Sequence, residues 1–410
     1  MSAEAVPLPG LGAIQAALRR VTESLALEIA SPRAEAPLWS ELEWRLAPAV
    51  AAMHGVSALL ALRLRWRGPP SWADFLIEQH QQTVLRQQRI AALLEELEES
   101  AREAGIAIVP LKGAALIEAG VYAPGERPMA DIDLLTAPSE IDDAVALLLA
   151  LDYRDAGTTW KHQAFNPVDG RRRALLGEHA DEPVKIDLHR SIGERLPLTL
   201  INLTDIVYPR DPSPGFNSYP SRAALMVHLL AHTAGNMVCR GARLIQLCDI
   251  MRLAARMTAT DWEQVTGFDT RRHGLWWTTA PLALAERYFP GSIPAPVRQK
   301  LASGCPWLLR KVSSRRSLSD FSYSHLHIDP IPGVVWARSA GEMLRYLAAR
   351  AWPDRQQRAE REVVSKMEPF ASDPSWHEQS QLGRILTWVC SHPARTATLQ
   401  PVRAALARMR

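Results

Sequence analysis

The sequence predicts an α+β fold, with a small mixed sheet in the middle of the chain and helices on both sides of it. Three observations lead there. Residues 11–105 carry helical spacing of apolar side chains; the pattern turns to short, alternating apolar runs at 106; and helical spacing returns beyond about 200 and holds to the end. At 410 residues the chain is long for one unit, so three are expected: an N-terminal helical segment at 1–105, an α/β core at 106–200 and a C-terminal helical domain at 201–410.

In the first segment a helix is expected around 39–66, closed by Pro69 and Pro70. The stretch TVLRQQRIAALLEELEESAREAG follows, with Val84, Leu85, Ile90, Leu93, Leu94 and Leu97 on one face and Gly105 as its stop. The longest apolar run, Leu46 to Leu62, is alanine-rich and contains His54, which fits a buried helix better than a membrane span. IAIVP then reads as a strand, LKGAALIEAG as a helix, YAPGERPMA as a loop and DIDLLT as a second strand. Pro138 with Glu140, Asp142 and Asp143 opens a helix, because proline and acidic side chains suit a first turn. Further strands are expected at 161–168, 172–177 and 184–189. In the last region Thr260 and Glu263 have the spacing of a capping box, and the Pro/Gly clusters at 209–220 and 329–333 are candidate linkers.

A net charge of +3 is too small to argue for nucleic acid or a membrane surface. Lysine is scarce: Lys112, Lys161, Lys185, Lys300, Lys311 and Lys366 are the six among 47 basic residues, which makes each worth placing. Cys239, Cys248, Cys305 and Cys390 form no CxxC pair, so reduced thiols are expected. No basic segment followed by an apolar run opens the chain, and a cytoplasmic location is expected.

Side chains alternate along a strand. In DIDL, Asp131 and Asp133 therefore point one way while Ile132 and Leu134 point the other. In VKIDLH, Val184, Ile186 and Leu188 face a core, and Lys185, Asp187 and His189 share the opposite face. If the two strands are neighbours, three carboxylates converge, repel one another and call for a cation. Hard oxygen ligands suit Mg²⁺, and two such ions can clamp the oxygens of an in-line phosphoryl displacement. The plain alternative is that each aspartate is a solvated strand-edge residue.

LKGAAL, PGERPMADIDLL and VKIDLH together resemble the DNA polymerase beta type nucleotidyltransferase superfamily, and more narrowly a branch of bacterial nucleotidyltransferases with Lys-Gly where other members carry Gly-Ser. The resemblance spans roughly 30–270, since HLLAHTAGN and LIQLCDIMRLAARMTATDW are similar to two later helices of that branch. It implies Asp131, Asp133 and Asp187 as metal-binding catalytic residues, two Mg²⁺ ions, and an NTP as substrate. Two departures stand out: Ala114 follows Gly113 where the wider superfamily has serine, and the gap from Gly113 to Asp131 is long.

Gly113 at a helix start would let phosphate approach unpaired backbone N–H groups. Lys112 could add a point charge and Arg127 a forked one, or Lys112 could instead pair with Asp131 or Asp133. Lys185 and His189 could orient nucleotide or acceptor, or hydrogen-bond a carboxylate. His228 and His232 have the spacing of a zinc pair, but no HExxH accompanies them, and packing is the plainer role. Asp249 is expected to pair with a nearby arginine, and Arg171 to Arg173 to sit on an exposed turn. No P-loop, dinucleotide GxGxxG or GxSxG elbow is present.

The expected activity is nucleotidyl transfer from an NTP to a small-molecule or peptide acceptor, with release of pyrophosphate. A nucleic-acid acceptor is not expected, for want of a basic stripe. The tryptophans of the C-terminal region suit a walled pocket or a packed core. Two other readings use the same carboxylates: a phosphoester hydrolase, and a nucleotide-binding or scaffold module without turnover.

Overall fold

The computed structural model describes residues 8–170, 176–268, 274–355, 359 and 379–408. Helix α1 (Leu11–Ala30) buries Ile14, Leu18, Val21 and Leu25, one stripe at helical spacing. Ser40 starts α2 (Glu41–Met53) through a capping box: its backbone N–H donates to Glu43 Oε2 at 2.7 Å, while its hydroxyl accepts from the Glu43 N–H.

The single helix expected around 39–66 is two. α2 stops at Met53, Gly55 takes φ +65°, and α3 (Ser57–Arg63) leaves at a bend of 114°. Glycine permits that turn because it has no Cβ to clash. No single described helix is long and apolar enough to cross a membrane, and the apolar run is this bent pair, with Leu46, Val50, Leu59 and Leu60 buried in the core.

Helix α4 (Pro70–Glu103) starts with proline in its first turn and ends at Gly105, φ +72°. Its buried stripe differs from the expected one. Leu85 is exposed, and the interior positions are Thr83, Arg86, Ile90, Leu97 and Ala101. An arginine thus occupies a core register.

The sheet follows: β1 (Ala107–Pro110), β2 (Asp131–Thr136), β3 (Tyr153–Thr158), β4 (Gln163–Pro167) and β5 (Lys185–His189), with α5 (Gly113–Glu118) after β1 and α6 (Ile141–Ala150) after β2. A small hairpin, β6 (Gly193–Arg195) with β7 (Leu200–Asn202), a short α7 (Thr204–Val207) and a two-residue β8 (Gly215–Phe216) complete this region. Strand order is β3-β4-β5-β2-β1-β8, mixed as expected, with β2 parallel to β5 and β8 parallel to β1. One face packs on α4 and α6 through Ile132, Leu134, Ile186 and Leu188 against Ile90, Leu97 and Leu148. On the other, Val109 and Leu135 join a larger core made with the flanking helices.

Strands β3, β6, β7 and β8 were not anticipated. β8 lies inside the Pro/Gly cluster at 209–220, which is therefore a sheet edge, not a linker. The cluster at 329–333 is likewise packed: Arg240 pairs with Asp329, and the Gly333 N–H donates to the Tyr346 hydroxyl at 3.0 Å. The strand expected at 172–177 and the arginine run 171–173 lie outside the described residues, apart from Leu176 and Gly177, which are not in a strand.

Helices α8 (Arg222–Val238), α9 (Leu244–Ala254) and α10 (Ala259–Gly267) lie beyond the sheet. The capping box of α10 uses Thr258 and Asp261, two residues before the expected pair, which turns Trp262 and Val265 inward. Trp276, Trp277 and Trp336 are core residues. The helix Thr396–Arg408 returns to α2, burying Val402, Ala405 and Leu406, and Arg45 Nη2 donates to the Leu406 carbonyl at 3.1 Å.

Candidate active site

Parallel pairing of β2 with β5 sets Asp131 opposite Lys185, Asp133 opposite Asp187 and Leu135 opposite His189. Paired residues on adjacent strands share a face, so the three aspartates converge as expected. Asp131 and Asp133 line one end of a cleft of about 300 Å³ between the sheet and the helices α8 and α9, and Asp187 stands beside Asp133 just outside that lining. The cleft is at the small end of the usual range for ligand pockets, roughly 300–1,000 Å³.

Asp133 is the anchor. Its Oδ1 accepts from Lys112 Nζ at 2.6 Å and faces His189 Nε2 at 3.0 Å. Burial would raise this carboxyl, but Lys112 and His189 overcome it and hold it well below the usual carboxylate range. Asp131 opens to the cleft, and burial with the neighbouring Asp133 raises its carboxyl. Burial, then Asp131 and Asp133, push Asp187 up to about 8. Its Oδ2 lies 3.6 Å from His162 Nε2, and burial with the neighbouring His189 brings that imidazole down to about 4. Lys185 is exposed at the open end of β5.

Lys112 connects β1 to α5 with φ +48°, a left-handed conformation rare for a residue with a side chain. Its N–H donates to the Tyr219 hydroxyl at 3.3 Å, and that hydroxyl is 2.7 Å from His228 Nδ1. His228 is therefore a packing partner of this turn. His232 faces Glu194 Oε1 at 3.7 Å, and Glu194 accepts from Lys161 Nζ at 2.6 Å. The zinc-like spacing of the two histidines thus serves other contacts.

Gly113 begins α5, as expected, but its missing side chain makes room for a neighbour. A Cβ there would strike the Arg127 guanidinium and come within 3.2 Å of Met129 Cγ. Arg127 cannot move aside freely, because its Nε and Nη2 each donate to Asp249 at 2.9 Å. The Tyr122 hydroxyl adds a bond to Asp249 at 2.7 Å. Asp249 has the arginine partner expected of it, and the Arg127 fork is committed to that carboxylate.

A model of the uncharacterised nucleotidyltransferase family matches residues 40–289, more than half of the 410. The chain belongs to that family. The match begins at the cap of α2 and takes in all of the sheet, the helices α8 and α9, and every side chain of the candidate site. No curated protein and no solved structure matched the chain.

Several residues around this candidate site carried little signal in the sequence. His162 belongs to a segment read only as a strand, and Glu194 lies in one with no distinctive pattern. Arg86 reaches the site's foundations from α4: its guanidinium donates to the carbonyls of Met129, Ala130, Glu182 and Pro183, at 2.7 to 3.3 Å, and pairs with Glu178 at 3.2 Å. These carbonyls belong to the segments leading into β2 and β5, so one buried side chain sets the approach of both carboxylate strands.

Proposed function

We propose that this chain is a divalent-metal-dependent nucleotidyltransferase that joins a nucleoside monophosphate from an NTP to a small-molecule or short-peptide acceptor and releases pyrophosphate. The observation that carries this reading is Asp133 facing Asp187 across β2 and β5, with Asp131 beside them at the cleft. A Lys-Gly variant of the polymerase beta type site agrees with the placement: Gly113 at the start of α5, the D-x-D on β2, and the third carboxylate on its parallel neighbour.

The donor set suits Mg²⁺ in chemistry: three carboxylates on one face, one of them pushed up to about 8 by burial and then by like charge, which a cation would relieve. Asp131, Asp133 and Asp187 are the residues that would hold such ions. Among the described residues no three His, Cys, Asp or Glu side chains already surround one point as ligands would, and Lys112 neutralises Asp133. Lys112 and His189 both bond Asp133 Oδ1, so an ion held by Asp133 would take its other oxygen, with the Lys112 ammonium beside it for phosphate. A bound divalent ion would supply charge neutralisation at the transferring phosphoryl group. The protein's own part is positional: β2 and β5 set the carboxylates, the Lys112 turn sets the ammonium, and α8 and α9 wall the cleft.

The acceptor class rests on charge. Positive and negative residues nearly balance, and the cations lining the cleft are Lys112, Arg127 and Arg243, too few to track a nucleic-acid strand. A cytoplasmic location fits the reduced cysteines. The Lys112–Asp133 pair also favours a second reading, a nucleotide-binding module without turnover.

The experiment is equilibrium dialysis of each NTP with and without Mg²⁺, on the wild type and on Asp131→Asn, Asp133→Asn and Asp187→Asn, followed by mass spectrometry of small-molecule extracts incubated with protein and NTP. Mg²⁺-dependent binding lost in all three variants, with a nucleotidylated product, is the expected result. Mg²⁺-independent binding that survives all three replacements would refute the metal site. Binding without product would favour the silent module, NTP consumption without an adduct a hydrolase, and salt-sensitive retention of tRNA on filters a nucleic-acid acceptor.

A further inference from the structure

Three cations line the cleft, and two are spoken for: Lys112 by Asp133 and Arg127 by Asp249. Arg243, on the turn into α9, is different. Among the described residues no carboxylate lies within ion-pair distance of it, although it is half-buried and its charge favours the ionised form of Asp131 across the cleft.

Its position is built with care from the other end of the chain. Arg243 Nε donates to the Met53 carbonyl at 3.0 Å, where α2 ends. The next two backbone N–H groups are also held by the α2–α3 elbow: Leu244 donates to His54 Nδ1 at 3.0 Å and Ile245 to the His54 carbonyl at 3.1 Å. His54 is itself fixed, with Nε2 3.0 Å from the Ser324 hydroxyl. Gly55 lies flat under the guanidinium, and a Cβ there would come within 2.9 Å of Nη2. A cation held this firmly at one nitrogen, with the rest of its fork turned to a cleft, is prepared for a polyanion.

We propose that Arg243 is the seat for the β- and γ-phosphates of the nucleotide, so that the triphosphate spans the cleft from the aspartates to the α8–α9 wall. The inference rests on the nucleotidyltransferase reading above and adds a direction to it. When the acceptor's hydroxyl oxygen bonds to the α-phosphorus, the bond from that phosphorus to the αβ-bridging oxygen breaks. Its electron pair leaves with pyrophosphate, and the hydroxyl proton passes to solvent. The leaving group thereby gains charge beside the guanidinium. Arg243 is also where the N-terminal helices bear on the site, since the elbow aims it.

The test is calorimetric titration of sodium tripolyphosphate, and of a nucleotide with a methylene bridge between its α- and β-phosphorus, into the wild type, Arg243→Met, Arg243→Lys and Gly55→Ala. Melting curves come first. Loss of a charge-assisted fork should weaken tripolyphosphate about 30-fold in Arg243→Met. Arg243→Lys should lose part of that, since it keeps the charge without the fork. Gly55→Ala, which leaves the charge but moves the guanidinium and strains the φ +65° turn, should weaken binding too, and Arg243→Lys serves where Arg243→Met fails to fold. Undiminished affinity in the folded variants, or no tripolyphosphate binding by the wild type, overturns the proposal. The two readings fail separately. Arg243-dependent binding without nucleotidyl transfer keeps this inference and removes the activity; transfer at wild-type KM in Arg243→Met keeps the activity and removes this inference.

Discussion

Replacing Arg86 with methionine tests how the carboxylate strands are held. Methionine keeps most of the apolar stem and removes every donor, leaving four backbone carbonyls and the Glu178 carboxylate without the guanidinium that joins them. Breaking a buried charge pair costs about 3–5 kcal/mol, and stranded carbonyls add to it, so a loss of about 5 kcal/mol is expected. With an unfolding entropy of about 2.1 cal/mol/K per residue, a chain of 410 residues should then melt about 6 °C lower. Burial already raises the Glu178 carboxyl against the pull of Arg86, so adding Glu178→Gln should recover about 1–2 kcal/mol by removing the orphaned acid. Differential scanning calorimetry on the two single variants and the double variant gives the coupling. Nucleotide affinity should fall as well, because the segments before Asp131 and Lys185 lose their common tie. A loss below about 1 kcal/mol in Arg86→Met, an ordinary value for a surface change, or no recovery in the double variant, would refute the clamp.

Two further outcomes concern the site itself. Asp187 has its folded value raised to about 8, above the ordinary carboxylate value near 4, so the native protein binds a proton that the unfolded chain gives up. Stability of the metal-free protein should therefore be fully present below about pH 4 as far as this group is concerned, and be lost progressively as pH rises through 8. Asp187→Asn should melt with the wild type near pH 4 and above it at pH 9; a difference that does not widen with pH would refute the assignment. Gly113→Ala should lower the melting temperature and nucleotide affinity together, since its Cβ displaces Arg127 from Asp249 and overpacking of this kind costs about 1–3 kcal/mol. An unchanged melting curve would show that Arg127 yields without loss.

What could be read from the chain was what its near neighbours encode. Asp131 and Asp133 stand two residues apart, as do Lys185, Asp187 and His189, so strand alternation alone put each set on one face. Their convergence needed only that β2 and β5 adjoin. Arg86 and Arg243 were beyond reach for the opposite reason. The first meets carbonyls 43 to 97 residues away and the second a carbonyl 190 residues away, and neither partner leaves a local trace. β8 is two residues long and owes its existence to the exposed edge of β1. The elbow at Gly55 had a signal, a glycine after a histidine in an otherwise alanine-rich run, but apolar continuity outweighed it. At α10 two overlapping patterns competed, and packing of Trp262 decided for Thr258.

The helix Thr396–Arg408 rests on α2, and Arg45 reaches across 361 positions to the Leu406 carbonyl. That distance has a meaning in time as well as in space. Ribosomes add about 5–20 residues per second, so the apolar flank of α2 emerges about 20–70 s before the helix that covers it. Until then the part of α2 that Val402, Ala405 and Leu406 cover stays open to solvent, while its packing against α1, α3 and α4 can already form. Slow codons late in the message would lengthen the exposure, and yield on expression should respond to that interval more than to the strength of any one contact.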